Sequence, residues 1–403
     1  MDARAHRSSA VPAALIGVAG LASAMGVGRF AFTPLLPLMQ HVGGITLAQG
    51  GSLAAANYLG YLMGAVACTL LGPAPHRTAR VGLVAVAVLT AGMGLSDTFG
   101  VWLALRFLAG VASAFVLVGV SAWVLPLLAD QRRESWSGWV FAGVGIGIVL
   151  AGLVALATGL LRKPPSDAWL LLGTCSAVIA VSVWQPMVAG PAVATPRGWE
   201  GGALGANTWR AVLSYGAFGF GYIIPATFLP AAARQLIADP AVFGWTWPVF
   251  GLAAAASTVA TSRLWRDAAP WKLWASAQLV MSIGLLAPAI RMTISTLLFS
   301  AVCVGGTFMV VTMAGMQEAR RVAGDSAPRL MAAMTAAFAL GQLVGPFTVT
   351  LLRSSESAAM APSHVAASAV LLLGAFALVF GPHRNPTPRA TSNTKGMPYD
   401  DGA

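Results

Sequence analysis

The chain has 403 residues, 57% of them hydrophobic and only 9% charged, with a formal net charge of +11. Soluble domains carry about 25% charged residues, and a water-facing surface cannot be made from this set, so the natural solvent is lipid. The basic residues sit in short clusters between apolar runs, with no helix-turn-helix, RRM or zinc spacing beside them, which argues against a nucleic-acid partner.

The chain opens with Arg4, His6 and Arg7, followed by the apolar run Val11–Met39. That run is about twice the 7–15 residues of a signal-peptide core and reads as a retained first span. Inside it lies Gly26-Val-Gly-Arg-Phe-Ala-Phe-Thr-Pro-Leu-Leu-Pro37. An arginine in the body of a spanning helix costs roughly 2.5–3.5 kcal/mol on insertion scales and marks a functional site by default, so Arg29 is the leading candidate. Thr33 follows it, and Pro34 and Pro37 are candidate kinks. The second run, 47–71, carries Asn57, Tyr58 and Tyr61; Asn57 and Tyr61 are four apart and share a helical face.

Runs 79–96 and 99–128 come next, the latter with a second embedded cation, Arg106, nearer a helix end. Run 136–160 holds Gly138, Gly143, Gly145, Gly147 and Gly152, which let helices approach closely. Gly143-Val-Gly-Ile-Gly147 is no nucleotide loop, because it lacks a βαβ context. Run 168–185 completes a first set of six. The longest polar interruption, 186–207, holds Pro186, Pro191, Pro196, Arg197 and Glu200. The second set runs 209–233, with Tyr222, Pro225 and Pro230, then 241–262, 271–290, 293–317, 327–352 and 363–381. Gln342 and Gly345 stand in the eleventh run, within Gly341-Gln-Leu-Val-Gly-Pro346.

Runs of this length are helices, because barrel strands would be about 10 residues long and alternate in polarity. The expected fold is therefore an all-α polytopic membrane protein with 12 transmembrane helices in two six-helix pseudo-repeats. Residues 1–10 form a cytoplasmic N-terminus, 11–185 and 208–382 the two six-helix bundles, 186–207 a central cytoplasmic loop, and 383–403 a disordered tail rich in Pro, Ser, Thr and Asn. With both termini inside, 17 of the 24 Lys and Arg fall on the cytoplasmic side and five outside, as the positive-inside rule requires. Shifting the chain by 193 residues lays Gly26, Gly28 and Pro37 on Gly219, Gly221 and Pro230, and Arg29 on Tyr222.

Every acidic residue is assignable to a loop, a terminus or a helix end, leaving Arg29 and Arg106 as the charges within spans. Water, backbone carbonyls or a bound anion can compensate them. Arg29, Asn57 and Tyr222 each lie about ten residues, or about 15 Å, from an outer helix end, with Arg106 somewhat nearer. Such a layer suits a carboxylate, since arginine forks onto two oxygens. Gln342 either lines a cavity or bonds a neighbouring helix. Cys68, Cys175 and Cys303 lie in apolar runs at no metal spacing, so neither a metal nor a cofactor is indicated.

The stretches 26–39, 57–64 (NYLGYLMG) and 341–346 resemble the major facilitator superfamily, and within it the YbfB/YjiJ-type permeases, over about residues 11–382. Arg106, Gly110 and Ala114 match its fourth-helix motif, an arginine associated with transport and sometimes with proton coupling. Gly72, Arg77 and Arg80 match the loop motif after the second span, with His76 where aspartate is usual. The fifth-helix glycine motif resembles Gly143–Gly152 without its usual Gly-Pro pair. The resemblance implies rocker-switch alternating access around a site lined by spans 1, 4, 7 and 10, and Gly110, Gly143, Gly147, Gly152 and Gly345 as helix-packing positions.

The expectation is a monomeric secondary transporter, not an enzyme, moving a small organic solute, anionic by the charge argument, across the bacterial inner membrane, with protons as a candidate coupling ion. Arg29, Thr33, Asn57, Tyr61, Arg106, Tyr222 and Gln342 are its candidate cavity residues, and Pro34, Pro37, Pro225 and Pro230 its gating kinks. The alternatives are a drug or metabolite efflux permease and a non-transporting membrane receptor or scaffold.

Overall fold

The computed structural model describes residues 10–187, 206–236, 245–351 and 361–380. The N-terminal segment, most of the central loop and the tail named above lie outside them, as does the side chain of Pro230. Twelve helical rods fill the described residues, with no strand among them. We label them α1 to α12. The first, α1, has three pieces: an α-helix Ala10–Leu21, a π-helix Ala22–Arg29 and an α-helix Phe32–Gly43. Then come α2 (Leu47–Leu71), α3 (Pro75–Leu95), α4 (Phe99–Asp130), α5 (Ser137–Leu160), α6 (Pro165–Trp184), α7 (Ala206–Leu236), α8 (Thr246–Leu264), α9 (Pro270–Ile290), α10 (Ile294–Ala323), α11 (Ala327–Leu351) and α12 (Ala361–Phe380).

Local chemistry explains where the rods begin. Thr46 and Gln49 form a capping box at the start of α2, and Thr293 and Thr296 form one at α10. Helices α3, α6 and α9 start on Pro75, Pro165 and Pro270, where a missing N–H costs nothing. This is why α3 begins four residues before the apolar run expected at 79, and α6 three before 168. Helix α10 likewise continues past 317 through a polar turn to Ala323.

Nine segments are long and apolar enough to cross a membrane, one of them, Ile294–Gly345, taking in two rods. Large apolar side chains such as Leu71, Val88, Leu160, Ile290 and Phe380 face outward, as lipid contact demands.

The packing repeats. In the first set α2 and α3 lie on α4, α6 on α3, and α5 on α1; in the second α8 and α9 lie on α10, α12 on α9, and α11 on α7. Each pair in one set is the other set's pair advanced by six. The sets meet along α5–α8 and α2–α11, which the same shift also exchanges.

Helix α5 sorts its glycines by partner. Gly138, Gly145 and Gly152, seven apart, face α8: a Cβ at Gly145 would stand 2.5 Å from Ala255 N, and one at Gly152 2.7 Å from Pro248. Gly143 and Gly147 instead face α1, at Val18 and at Ala22 and Gly26. Gly110 lets α4 approach the α2 backbone, where a Cβ would stand 2.1 Å from Asn57 O and 2.7 Å from Tyr61 N, and Gly345 accommodates Ile223 of α7.

Between the sets lies a cavity of about 900 Å3, walled by helix ends and turns that carry Arg266, Arg320, Arg321 and Arg329 against Asp130, Glu134 and Asp325, a net positive rim that we call the basic end. Its inner residues include Cys68, Val118, Met313 and Met331.

Candidate functional site

Helix α1 does not run through as one α-helix. From Ala22 to Arg29 it takes π geometry, and Phe30 N bonds Met25 O at 3.2 Å, spanning five residues. Gly26 and Gly28 permit this, since Gly26 lies directly on Gly147 of α5 and Gly28 on Val86 of α3. The break thus precedes the prolines taken as its cause. Pro34 sits in the first turn of Phe32–Gly43, where no intrahelical bond is lost, and Pro37 lies inside that helix. Helix α7 runs continuously past Pro225 and Pro230.

Arg29 closes the π segment and is 3% exposed. Its guanidinium lies 3.8 Å from the centre of the Tyr61 ring and 5.7–5.8 Å from Phe30, Tyr58 and Phe338. Nη2 donates to Gln342 Oε1 across the two sets; a guanidinium only donates, so the amide must present its oxygen. Arg29 Nε and Nη1 and Gln342 Nε2 are buried with no protein acceptor. A desolvated cation–π contact contributes about 2 kcal/mol, whereas burying an ion costs several and each orphaned donor about 1–3 more. The site is polar, positive and incompletely satisfied.

Arg106, also 3% exposed, is compensated differently. Its Nη1 donates to Gly28 O at 3.1 Å and its Nη2 to Arg29 O at 3.3 Å, while the guanidinium covers Phe32 at 4.7 Å. It caps carbonyls at the end of the π segment. Asn57 Nδ2 donates to Arg106 O at 3.0 Å, so Asn57 ties α2 to α4. Ser113 adds a bond to Ala24 O at 3.0 Å. Together they form a backbone-holding layer behind Arg29. Thr33 is half-buried, one residue beyond Phe32.

Phe338, four residues before Gln342 on α11, joins the rest. Its ring neighbours Tyr61 at 6.4 Å, Tyr222 at 6.2 Å, Phe218 at 4.9 Å and Tyr215 at 5.5 Å. Tyr222 stacks on Phe308 at 5.2 Å, and Phe308 meets Phe30 edge-on. Arg29, Tyr61, Tyr222 and Gln342 therefore share one cluster. Phe30, Phe308 and Phe338 were not singled out in the sequence, because a phenylalanine in an apolar run carries no signal of its own. The four-residue spacing of Phe338 and Gln342 was the available clue.

The cluster seals the side away from the basic end. Arg106 and Gln342 lie 12 and 11 residues beyond the cavity residues Val118 and Met331 on the same helices, or about 16–18 Å. At the basic end Gln317 Nε2 donates to Ser137 Oγ at 2.6 Å, also across the sets. Next to it Glu318 is 2% exposed and pairs through both oxygens with Arg321, at 2.7 and 2.8 Å. This acid, expected merely at a helix end, is buried because α10 continues beneath it.

Known proteins agree with this architecture. The human organic anion transporter MFSD10 (TETRAN) superposes with a TM-score of 0.71 at 16% identity, covering 92% of this chain and all of that one; at that identity the likeness shows the fold. An uncharacterized MFS-type transporter, YceJ of Bacillus subtilis (strain 168), is 28% identical over 143 residues, covering 33% of this chain and 36% of YceJ, about a third of that relative's length. The model of the family described as uncharacterised MFS-type transporter YbfB matches residues 21–379. Spanning most of the chain, that match makes the protein a member of the YbfB family of major facilitator transporters, a multi-pass membrane protein.

Proposed function

We propose that this transporter moves a small organic anion across the bacterial inner membrane by alternating access, as a monomer with the basic end and both termini in the cytoplasm. The observation that carries this is the Arg29 site: a buried guanidinium with two donors unmet, beside a third on Gln342. Unmet N–H groups at one positive locus offer single charge-assisted contacts to a carboxylate, which would supply the charge the helices lack. Alternation is supported by hydrogen bonds between the sets at both ends, Arg29–Gln342 and Gln317–Ser137, that exchange of the open end must break and remake. The printed description of MFSD10 as an organic anion transporter supports the solute class by analogy of fold.

Binding tests it. In detergent, acetate, succinate or benzoate should raise the melting temperature of the purified protein, tetraphenylphosphonium should not, and the anion effect should vanish in Arg29→Gln. Stabilisation by the cation alone would favour the drug-efflux reading, and an unchanged anion effect in Arg29→Gln would remove Arg29 from the site.

A further inference from the structure

We propose that the anion held at Arg29 carries a flat conjugated ring, and that a row of successively stacked aromatic side chains leading to Arg29, largely buried in the shape seen here, receives it once that end opens. The proposal rests on the anion reading above and narrows the substrate class.

The row starts at Trp247, one residue into α8 at the end away from the basic face, and steps through Phe250 of the same helix, Phe308 of α10, Tyr222 of α7 and Phe338 of α11. Successive ring centres are 5.3, 5.2, 5.2 and 6.2 Å apart, and successive planes differ by only 8°, 24°, 17° and 26°. The last ring lies 5.8 Å from the Arg29 guanidinium. Aromatic pairs are at home edge-to-face as well as offset-stacked. Neighbouring pairs in this core do take the edge-on form: Tyr215–Trp274 and Phe30–Phe308 both stand at 85°, and Tyr61–Phe338 at 70°. Helices α7, α8, α10 and α11 nevertheless hold five rings so that each lies within 26° of the next.

Small successive tilts are useful to a guest. A flat ring laid on one member is within 26° of parallel to that member's neighbour, and its face makes closer contact than that of a puckered ring. The row ends where the unmet donors of Arg29 and Gln342 begin, so a ring bearing a carboxylate places its face on the row and its charge at the donors with one rigid body. The row is built from α7, α8, α10 and α11 and meets α1 at Phe308, edge-on to Phe30, and at Phe338, beside Arg29, so a guest at this end of it touches both sets.

Three ligands separate the outcomes on the full-length protein in detergent: benzoate, cyclohexanecarboxylate (equal charge and carbon count, puckered ring) and benzamide (flat ring, no charge). Benzoate should raise the melting temperature saturably, with an apparent Kd about three- to tenfold below that of cyclohexanecarboxylate, and benzamide should give no shift. Arg29→Gln should lose both acids, and Phe308→Leu should bring their affinities together. Equal affinity of the two acids for the wild type overturns the ring preference and leaves the anion site standing. Benzamide matching benzoate, or both acids surviving Arg29→Gln, overturns the anion reading and the proposal with it, as does the absence of a shift with any of the three. The wild-type comparison decides the matter even if Phe308→Leu does not fold.

Discussion

Two arginines with equal burial are compensated to different degrees. Arg106 satisfies the carbonyls of Gly28 and Arg29, covers Phe32 and leaves Nε unmet; Arg29 leaves both Nε and Nη1 unmet. Arg106→Ala strands buried acceptors, and we expect it to lower unfolding stability by about 2–4 kcal/mol. Arg29→Leu removes an incompletely compensated ion, so the unliganded protein should melt at or above the wild-type temperature while losing every response to anions. Melting curves of the two variants with and without benzoate check both signs. The sequence marked both positions by the same insertion cost; it could not separate them, because compensation of Arg106 depends on carbonyls from a different helix, 77 and 78 residues away in the chain.

At the scale of elements, α5 carries the contact between the two sets on Gly138, Gly145 and Gly152, and its contact with α1 on Gly143 and Gly147. A leucine at Gly145 would enter the α8 backbone at Gly251 and Ala255, with an overpacking cost of at least about 1–3 kcal/mol. Gly145→Leu should therefore fold poorly or lock the halves, whereas Gly100→Ala, with no atom within 4 Å of the added methyl, should match the wild type; yield and melting temperature distinguish them. Twelve rods and their order were legible because lipid forces long apolar helices. Their first turns were less so, since Pro75, Pro165 and Pro270 stand in polar stretches that hydropathy assigns to loops. The π segment was not legible at all. It arises from glycine contacts with α3 and α5 that no local pattern announces.

Across the whole molecule, the Arg29 cluster closes one end while the cavity opens the other. Gln342→Leu removes the hydrogen bond between the sets at the closed end and should shift the population toward opening there. Spin labels at Gly100→Cys, in the first turn of α4, and Arg291→Cys, in the link after α9, both exposed and on opposite sets at that end, should show a longer distance distribution than in the otherwise wild-type protein; an unchanged distribution would assign closure to the rings alone. The asymmetry also shapes the electric field. An aqueous cavity carries the potential of its own compartment inward, so most of any transmembrane voltage falls across the sealed portion that holds Arg29. A unit charge crossing the full drop exchanges about 2.3 kcal/mol per 100 mV. If the basic end faces a negative cytoplasm, voltage would hold the empty, positively charged carrier in the shape seen here, and an anion arriving at Arg29 would cancel one of the two embedded charges. Loading would then act as a partial electrical release: the occupied carrier, still holding Arg106, feels the voltage less than the empty one does.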